Sequence, residues 1–200
     1  SSRSVIAPVQ GIHTMKPKSK VAVLVGSLRR GSFALMTAKA AVALAPPALD
    51  CEFVGVGDLP LYNQDLEGEM LPAAWRRFRD AVRGADALLF VTPEYNRSVP
   101  GGLKNAIDVG SRPYGQSVWS GKPGAVISVS PGALAAFGAN HHLRQSLVFL
   151  DVLPLQQPEA YIGGAASLFD ADGALVNDAT REFLTKFMAA FAAWIERVRA

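Results

Sequence analysis

The chain has 200 residues, 50% of them hydrophobic and 18% charged, which is the balance of a globular domain and not of a disordered segment. A single cysteine, Cys51, excludes an internal disulfide and a cysteine-based metal cluster, and no apolar run approaches the roughly 20 residues of a membrane span. The net charge is +3, yet Arg3, Lys16, Lys18 and Lys20 put +4 into the first twenty residues without an acid, so residues 21–200 carry −1 and no basic nucleic-acid face is expected.

Residues 1–14 lack periodicity and an apolar core of signal-peptide length, and Met15 reads as a native start. Residues 1–19 are therefore expected to form a flexible leader and residues 20–200 one domain. The domain opens on K-V-A-V-L-V-G-S-L-R-R-G-S-F-A, Lys20–Ala34. The apolar run Val21–Val25 predicts a strand buried on both faces. Gly26–Ser32 is a loop of Gly, Ser and Arg, and Phe33–Ala45 is helix-like. Strand, small-residue loop, helix is an arrangement that aims free backbone N–H groups at an anion. Ser27, Ser32 and Arg29 or Arg30 add side-chain donors. The spacing is neither G-x-G-x-x-G nor a P-loop. The loop reads as a mononucleotide-type phosphate cradle, with a plain strand–helix turn as the alternative.

Cys51–Val56 predicts a second strand and Leu59–Asn63 a loop. A helix is expected over Glu69–Gly84, with Pro72 near its start and Trp75, Phe78 and Val82 as its apolar stripe. Ala85–Thr92 is a third buried strand, and Pro100–Val109 a helix opened by proline. Gly124–Val129, Phe137–Leu150 and Val152–Leu155 read as strand, helix and short strand. Asp178–Arg199 closes the chain as an amphipathic helix carrying Phe183, Phe187, Phe191, Trp194 and Val198. This alternation implies an α/β fold with a parallel sheet and helices on both faces, and five strands fit the 2-1-3-4-5 order of a flavodoxin-like three-layer sandwich. Ligands in such sheets bind at the carboxyl ends of the strands. The loops Gly26–Ser32, Pro93–Ser98 and Ser130–Gly138 should converge there.

The loop after the third strand reads T-P-E-Y-N-R-S-V-P-G-G-L-K-N-A-I-D. Pro93 stiffens it. Glu94, Tyr95 and Asn96 offer backbone amides and an aromatic plane, a rim suited to a flat heterocycle with carbonyls. Gly101 and Gly102 allow close packing beneath. The plainer alternative is a turn that starts a helix.

Together, G-S-L-R-R-G-S-F, P-E-Y-N-R-S-V-P-G-G-L-K-N-A-I-D and N-H-H-L-R-Q-S-L-V-F-L-D resemble the NADPH-dependent FMN reductase family, on its branch of bacterial quinone and chromate reductases. The resemblance spans about Lys20–Arg199 and implies non-covalent FMN on a flavodoxin-like fold. It places Ser27, Leu28, Arg29, Ser32, Phe33 and Ala34 around the phosphate. It places Pro93, Glu94, Tyr95, Asn96 and Arg97 around the isoalloxazine ring, completed by Ser130 and Gly132. It also implies a ping-pong cycle in which NAD(P)H reduces the flavin at N5 and a quinone, chromate, free flavin or azo compound then takes the electrons. No side chain is required as a nucleophile and no metal is implied. Arg97 and Arg112 are candidates to attract anionic nicotinamide or acceptor groups, or else to form salt bridges between subunits, for instance to Glu159. Three positions depart from the family pattern: Ala34 where many members have Asn, Val109 where many have Trp, and Arg97 where relatives often have Tyr. Relatives form dimers and tetramers, so a homodimer or homotetramer in the cytoplasm is implied. Phe137–Leu150, with Leu143, Leu147 and Phe149, could serve that contact or the core.

Other candidates read as structural. His141 and His142 are adjacent and point to different sides of a helix. Asp65, Glu67 and Glu69 read as a solvated acidic loop, Asp170 and Asp172 as a turn, and Cys51 as a small core residue. The competing function is a flavodoxin-type FMN electron carrier without a substrate of its own. Its usual strong acidity and Ser/Thr-rich phosphate loop are not matched here. A flavin-free Rossmann-like NAD protein is a weaker third, since G-x-G-x-x-G is missing.

Overall fold

The computed structural model describes residues 16–200. The expected leader 1–14 and the Met15 start lie outside the described residues. The first strand, β1 (Ser19–Val25), begins one residue before the expected domain boundary. It is followed by α1 (Phe33–Ala43), β2 (Leu49–Phe53), α2 (Ala73–Arg83), β3 (Ala87–Thr92), α3 (Gly101–Gly110) and β4 (Pro123–Val129). The chain then continues through α4 (Phe137–Phe149), β5 (Leu153–Pro154), β6 (Ala160–Ile162) and α5 (Asp178–Arg199). All strand pairs among the described residues are parallel, and the order is 2-1-3-4-5 as expected.

The sheet has six strands and not five, because its last position is filled in two pieces. β5 pairs with Pro123 and Gly124, at the start of β4. β6 pairs with Ile127–Val129, at its end. Between them the chain leaves the sheet at Gln156–Glu159, where Pro158 has no N–H to offer a ladder. Three residues of β6 are too short for an alternation to register in sequence. β2 lies two residues earlier than expected. Val54 N–H makes its last rung to Val23 O (2.9 Å), and Gly55 and Gly57 follow. α2 starts at Ala73 because Pro72 pushes Leu71 out of helical ψ (118°), leaving Gly68–Met70 as a separate turn.

β3 and β4 are buried along their whole length. Successive residues point to opposite faces, so each strand feeds two cores. Val21, Val23, Leu89, Val91 and Ile127 pack under α1 and α5, where Leu184, Phe187 and Phe191 are buried. Ala22, Leu24, Leu88, Phe90 and Val126 pack under α2, α3 and α4 with Trp75, Trp119, Leu143 and Leu147. Val109, which stands where many family members have Trp, is fully buried in this second core. Cys51 is packed at the edge of the first core, and burial, helped by Asp50, pushes its thiol pKa up.

One acidic residue departs from its expected role. Glu67 is not solvated. It takes two hydrogen bonds from Arg79, at 2.6 and 3.1 Å, and Arg79 is buried on the inner face of α2. Arg79 also donates to Val109 O (2.9 Å) and lies 5.4 Å from the Trp75 ring centroid. Removing Glu67 strands a desolvated guanidinium. Glu67→Ala should therefore lower the free energy of unfolding by about 3 kcal/mol, read by urea denaturation, whereas Asp65→Ala should leave it nearly unchanged.

Candidate functional site

The carboxyl ends of β1, β3, β4 and β6 open onto one edge, and four loops meet there. The first is Gly26–Ser32. Gly26 N–H donates to Val91 O (2.8 Å), which holds the loop against β3. A Cβ at Gly26 would lie 2.9 Å from Thr92 Oγ1, 3.1 Å from Pro93 Cδ and 3.2 Å from Leu103 Cδ2, so only glycine lets the two loops come this close. Ser32 caps α1: its Oγ accepts from Leu35 N–H (3.0 Å), and its N–H donates to Arg29 O (3.2 Å). Among the described residues, no protein acceptor meets the N–H groups of Leu28, Arg30, Gly31, Phe33 and Ala34. These amides at a helix N-terminus, with two exposed arginines, are the donor set an anion cradle requires. Ala34 is buried and faces the core, so it can offer only its amide. Leu28 is exposed but lies over Gly57 and Gly102, where added Cβ atoms would sit 3.0 and 3.7 Å from its methyl groups.

The second loop turns sharply after Pro93. Tyr95 and Ser98 exchange backbone hydrogen bonds, both 3.0 Å, around Asn96 (φ 52°) and Arg97 (φ 65°). This is a two-residue hairpin turn with both central residues left-handed. Asn tolerates that region, whereas Arg97 is there at a cost of about 1–2 kcal/mol. The Tyr95 N–H is spent inside the turn, so it cannot serve a ligand as the sequence suggested. The N–H groups of Asn96 and Arg97 find no acceptor among the described residues and remain for that purpose. The half-exposed Tyr95 ring supplies the aromatic plane. The Glu94 carboxylate does not face outward: it accepts from Ala139 N–H in α4 (2.9 Å).

The third loop, Ser130–Ala136, is braced by the fourth. Ser130 N–H donates to Ile162 O (3.0 Å), Ala165 N–H to Ser130 O (3.2 Å) and Gly164 N–H to Gly132 O (3.4 Å). Ser130 Oγ is turned inward onto Gly132 O (3.2 Å). A buried polar knot anchors this region. Ser128 Oγ donates to Ala135 O (2.9 Å) and accepts from Asn140 Nδ2 (3.1 Å), and Arg144 Nε donates to Asn140 Oδ1 (2.9 Å). Phe137 stands half-exposed beside His141 and Tyr161, with ring centroids 4.2 and 5.2 Å away. Tyr161 donates to Glu159 (2.9 Å); burial first, then that bond, pushes its phenol pKa up and keeps it protonated.

Ser27, Leu28, Arg29, Ser32, Phe33 and Ala34 thus gather at the cradle, and Pro93–Arg97, Ser130 and Gly132 beside it. Arg112 is not among them. α3 starts at this edge and runs back to the opposite one, leaving Arg112 past its C-terminal end with its guanidinium 5.9 Å from the Tyr114 ring centroid. Within the chain, Arg97 pairs with Glu94 (3.6 Å). His141 and His142 do have separate partners, the Tyr161 hydroxyl (2.8 Å) and Ser98 Oγ (3.0 Å). Sequence reasoning missed the loop after β6. Its only signal is the Gly163–Gly164 pair, where a Cβ on Gly163 would lie 3.2 Å from Gly132 O.

The arrangement pairs an anion cradle with a flat, amide-rimmed ledge one strand away, which suits a phosphate-bearing planar heterocycle such as FMN. Comparisons agree. The profile of the family described as NADPH-dependent FMN reductase matches residues 19–167. A quinone reductase from Pseudomonas putida is 64% identical over 180 residues, 90% of this chain and 96% of that protein. A 2-hydroxy-1,4-benzoquinone reductase from a Burkholderia species is 50% identical over 176 residues, 88% of this chain and 96% of that one. The solved structure of FerB, a flavoenzyme NAD(P)H:(acceptor) oxidoreductase from Paracoccus denitrificans, superposes with TM-score 0.84 at 44% identity, covering 90% of this chain and 98% of that one. The cradle makes a direct prediction. With Ala34 limited to its amide, Arg29→Ala should weaken FMN binding by about tenfold, read by flavin fluorescence on dilution; unchanged affinity would remove Arg29 from the cradle.

Proposed function

The chain belongs to the NADPH-dependent FMN reductase family, and from that premise we propose that it passes electrons from NAD(P)H, by way of FMN, to quinones. It is an oxidoreductase and a flavoprotein of flavodoxin-like fold. The observation that carries the reading is the coincidence of the phosphate cradle at α1 with the amide-rimmed turn Tyr95–Ser98 on one sheet edge. FMN supplies the chemistry when bound, accepting a hydride from the nicotinamide and giving two electrons to the acceptor.

The chain's own residues bind and orient. Ser32 fixes the start of α1, so that the Phe33 and Ala34 amides with Arg29 hold the phosphate. The amides of Asn96 and Arg97 are donors toward polar ring atoms, where negative charge grows on reduction. Tyr95 and Leu28 supply apolar surface at the rim. The exposed Arg97 guanidinium is the cation nearest this ledge that could draw an anionic nicotinamide or acceptor group.

Quinones are the acceptor class that relatives' names favour, with chromate, free flavin and azo compounds as a wider set. The electron-carrier alternative loses ground because close relatives are named as reductases. Partners are therefore small molecules, with no nucleic acid, since residues 21–200 carry −1. No helix of the described residues is long and apolar enough to cross a membrane, and a lone, neutral-favouring thiol suits the cytoplasm. A homodimer or homotetramer is part of the proposal. Leu143 and Leu147 of α4 are core, but Val148, Phe149 and Phe137 are exposed on it and are available for a subunit contact.

Purified protein should be yellow, and NADPH should bleach it under argon; a yellow protein that NADPH leaves unbleached would instead be a carrier. Steady-state turnover of quinones, chromate, FMN and azo dyes with NADH and NADPH should rank quinones first. Light scattering after size exclusion should give a mass of two or four chains, and a monomer would remove the subunit contact.

A further inference from the structure

α4 begins with an unusual deficit. Its N-cap, Ala136, is left-handed (φ 58°, ψ 34°) and has no side-chain acceptor for the first-turn amides. The acceptor arrives from 45 residues away in sequence: Glu94 Oε2 takes the Ala139 N–H at 2.9 Å. The Glu94 side chain is only 13% exposed, and its Oε2 serves as the acceptor that the N-cap of α4 lacks. Gly138 makes room for it. A Cβ there would lie 2.7 Å from Glu94 Oε2 and 2.9 Å from Arg97 O.

The contact joins two turns that are both strained. On one side Asn96 and Arg97 are left-handed, and on the other Ala135 and Ala136 are. Neither turn is held there by glycine, so tertiary contacts must hold them. Ser98 Oγ to His142 Nδ1 (3.0 Å) is a second, exposed tie between the same two segments. The Arg97–Glu94 pair is long, at 3.6 Å, and Arg97 is 76% exposed, so it adds little to the clamp.

We propose that Glu94 is a positioning residue that clamps the turn at Tyr95–Ser98 to the first turn of α4, so that the amide-rimmed ledge is formed before FMN arrives. The inference rests on the FMN reading above. It assigns the carboxylate to the protein and not to the ring: the acceptor oxygen and its position matter, and its charge is secondary. A glutamine, whose amide oxygen can still accept from Ala139, should therefore replace it.

The test uses the full chain, both stripped of FMN and reloaded. In the stripped protein, hydrogen exchange at the Ala139 amide should speed up by about tenfold in Glu94→Ala and stay near the native rate in Glu94→Gln. By fluorescence titration, Glu94→Ala should bind FMN about tenfold more weakly, and Glu94→Gln should restore most of that loss. Gly138→Ala keeps the carboxylate but displaces it, and should weaken FMN as Glu94→Ala does; it decides the matter if Glu94→Ala does not fold. Native affinity in Glu94→Ala or Gly138→Ala would overturn the clamp. So would a Glu94→Gln variant as weak as Glu94→Ala, since charge and not position would then be at work. Failure of the unaltered chain to bind FMN would instead overturn the flavin reading on which the clamp depends.

Discussion

Burial of both faces of the sheet is the constraint from which the rest follows. β3 and β4 have no exposed residue, and the middle of β1 has none either. Backbone polar groups on such strands are satisfied only by neighbouring strands. Side chains that meet solvent or a ligand are therefore pushed to the strand ends. Two buried polar side chains lie on the strands themselves, and both are paired: Thr92 Oγ1 donates to Pro93 O, and Ser128 binds Asn140 of α4. Parallel pairing then gathers the ends that carry loops 26–32, 93–98 and 130–136 on one side. The opposite edge takes the returning helices and, with them, Arg112.

That edge is held together by close approach as much as by bonding. Gly26 lets β1's loop touch Thr92, Pro93 and Leu103, and Gly138 lets Glu94 and Arg97 touch α4. Four non-glycine residues there, Asn96, Arg97, Ala135 and Ala136, are left-handed. At about 1–2 kcal/mol each for residues other than Asn, such conformations persist only where surrounding contacts over-determine them. The Ser128–Asn140–Arg144 knot and the Glu94 contact with α4 are those surroundings. Strain and buried polar bonding thus lie next to each other at this edge, and the Asn96 and Arg97 amides without a protein acceptor belong to one of the strained turns.

The two halves of the molecule divide their work. On the far side of α2, Glu67 neutralises Arg79 inside the core, and Trp119 stacks over Gly110, where a Cβ would lie 2.6 Å from the indole. These contacts support the scaffold without reaching the ledge. At the ledge, the groups left without a protein partner include backbone amides, which point where the scaffold directs them.

The sequence alone indicated a layered α/β architecture, because β-branched and leucine runs alternate with helical stripes; the order 2-1-3-4-5 fits that alternation without following from it, and the tertiary structure decides it. The sequence also pointed to the loops 26–32 and 93–98 that meet at one sheet edge, since Gly, Ser and Pro carry their backbone preferences with them. It did not reveal β6, which has too few residues for a period and exists because β4 offers it an edge. Nor could it separate Glu67 from its acidic neighbours, because only the fold brings Arg79 beneath it. The same holds for Glu94, Tyr95 and Arg112. Whether a carboxylate caps a helix 45 residues away, whether an amide is consumed in its own turn, and which end of a helix an arginine reaches are all set by distances in space. Local propensity does not encode them, and only tertiary packing decides them.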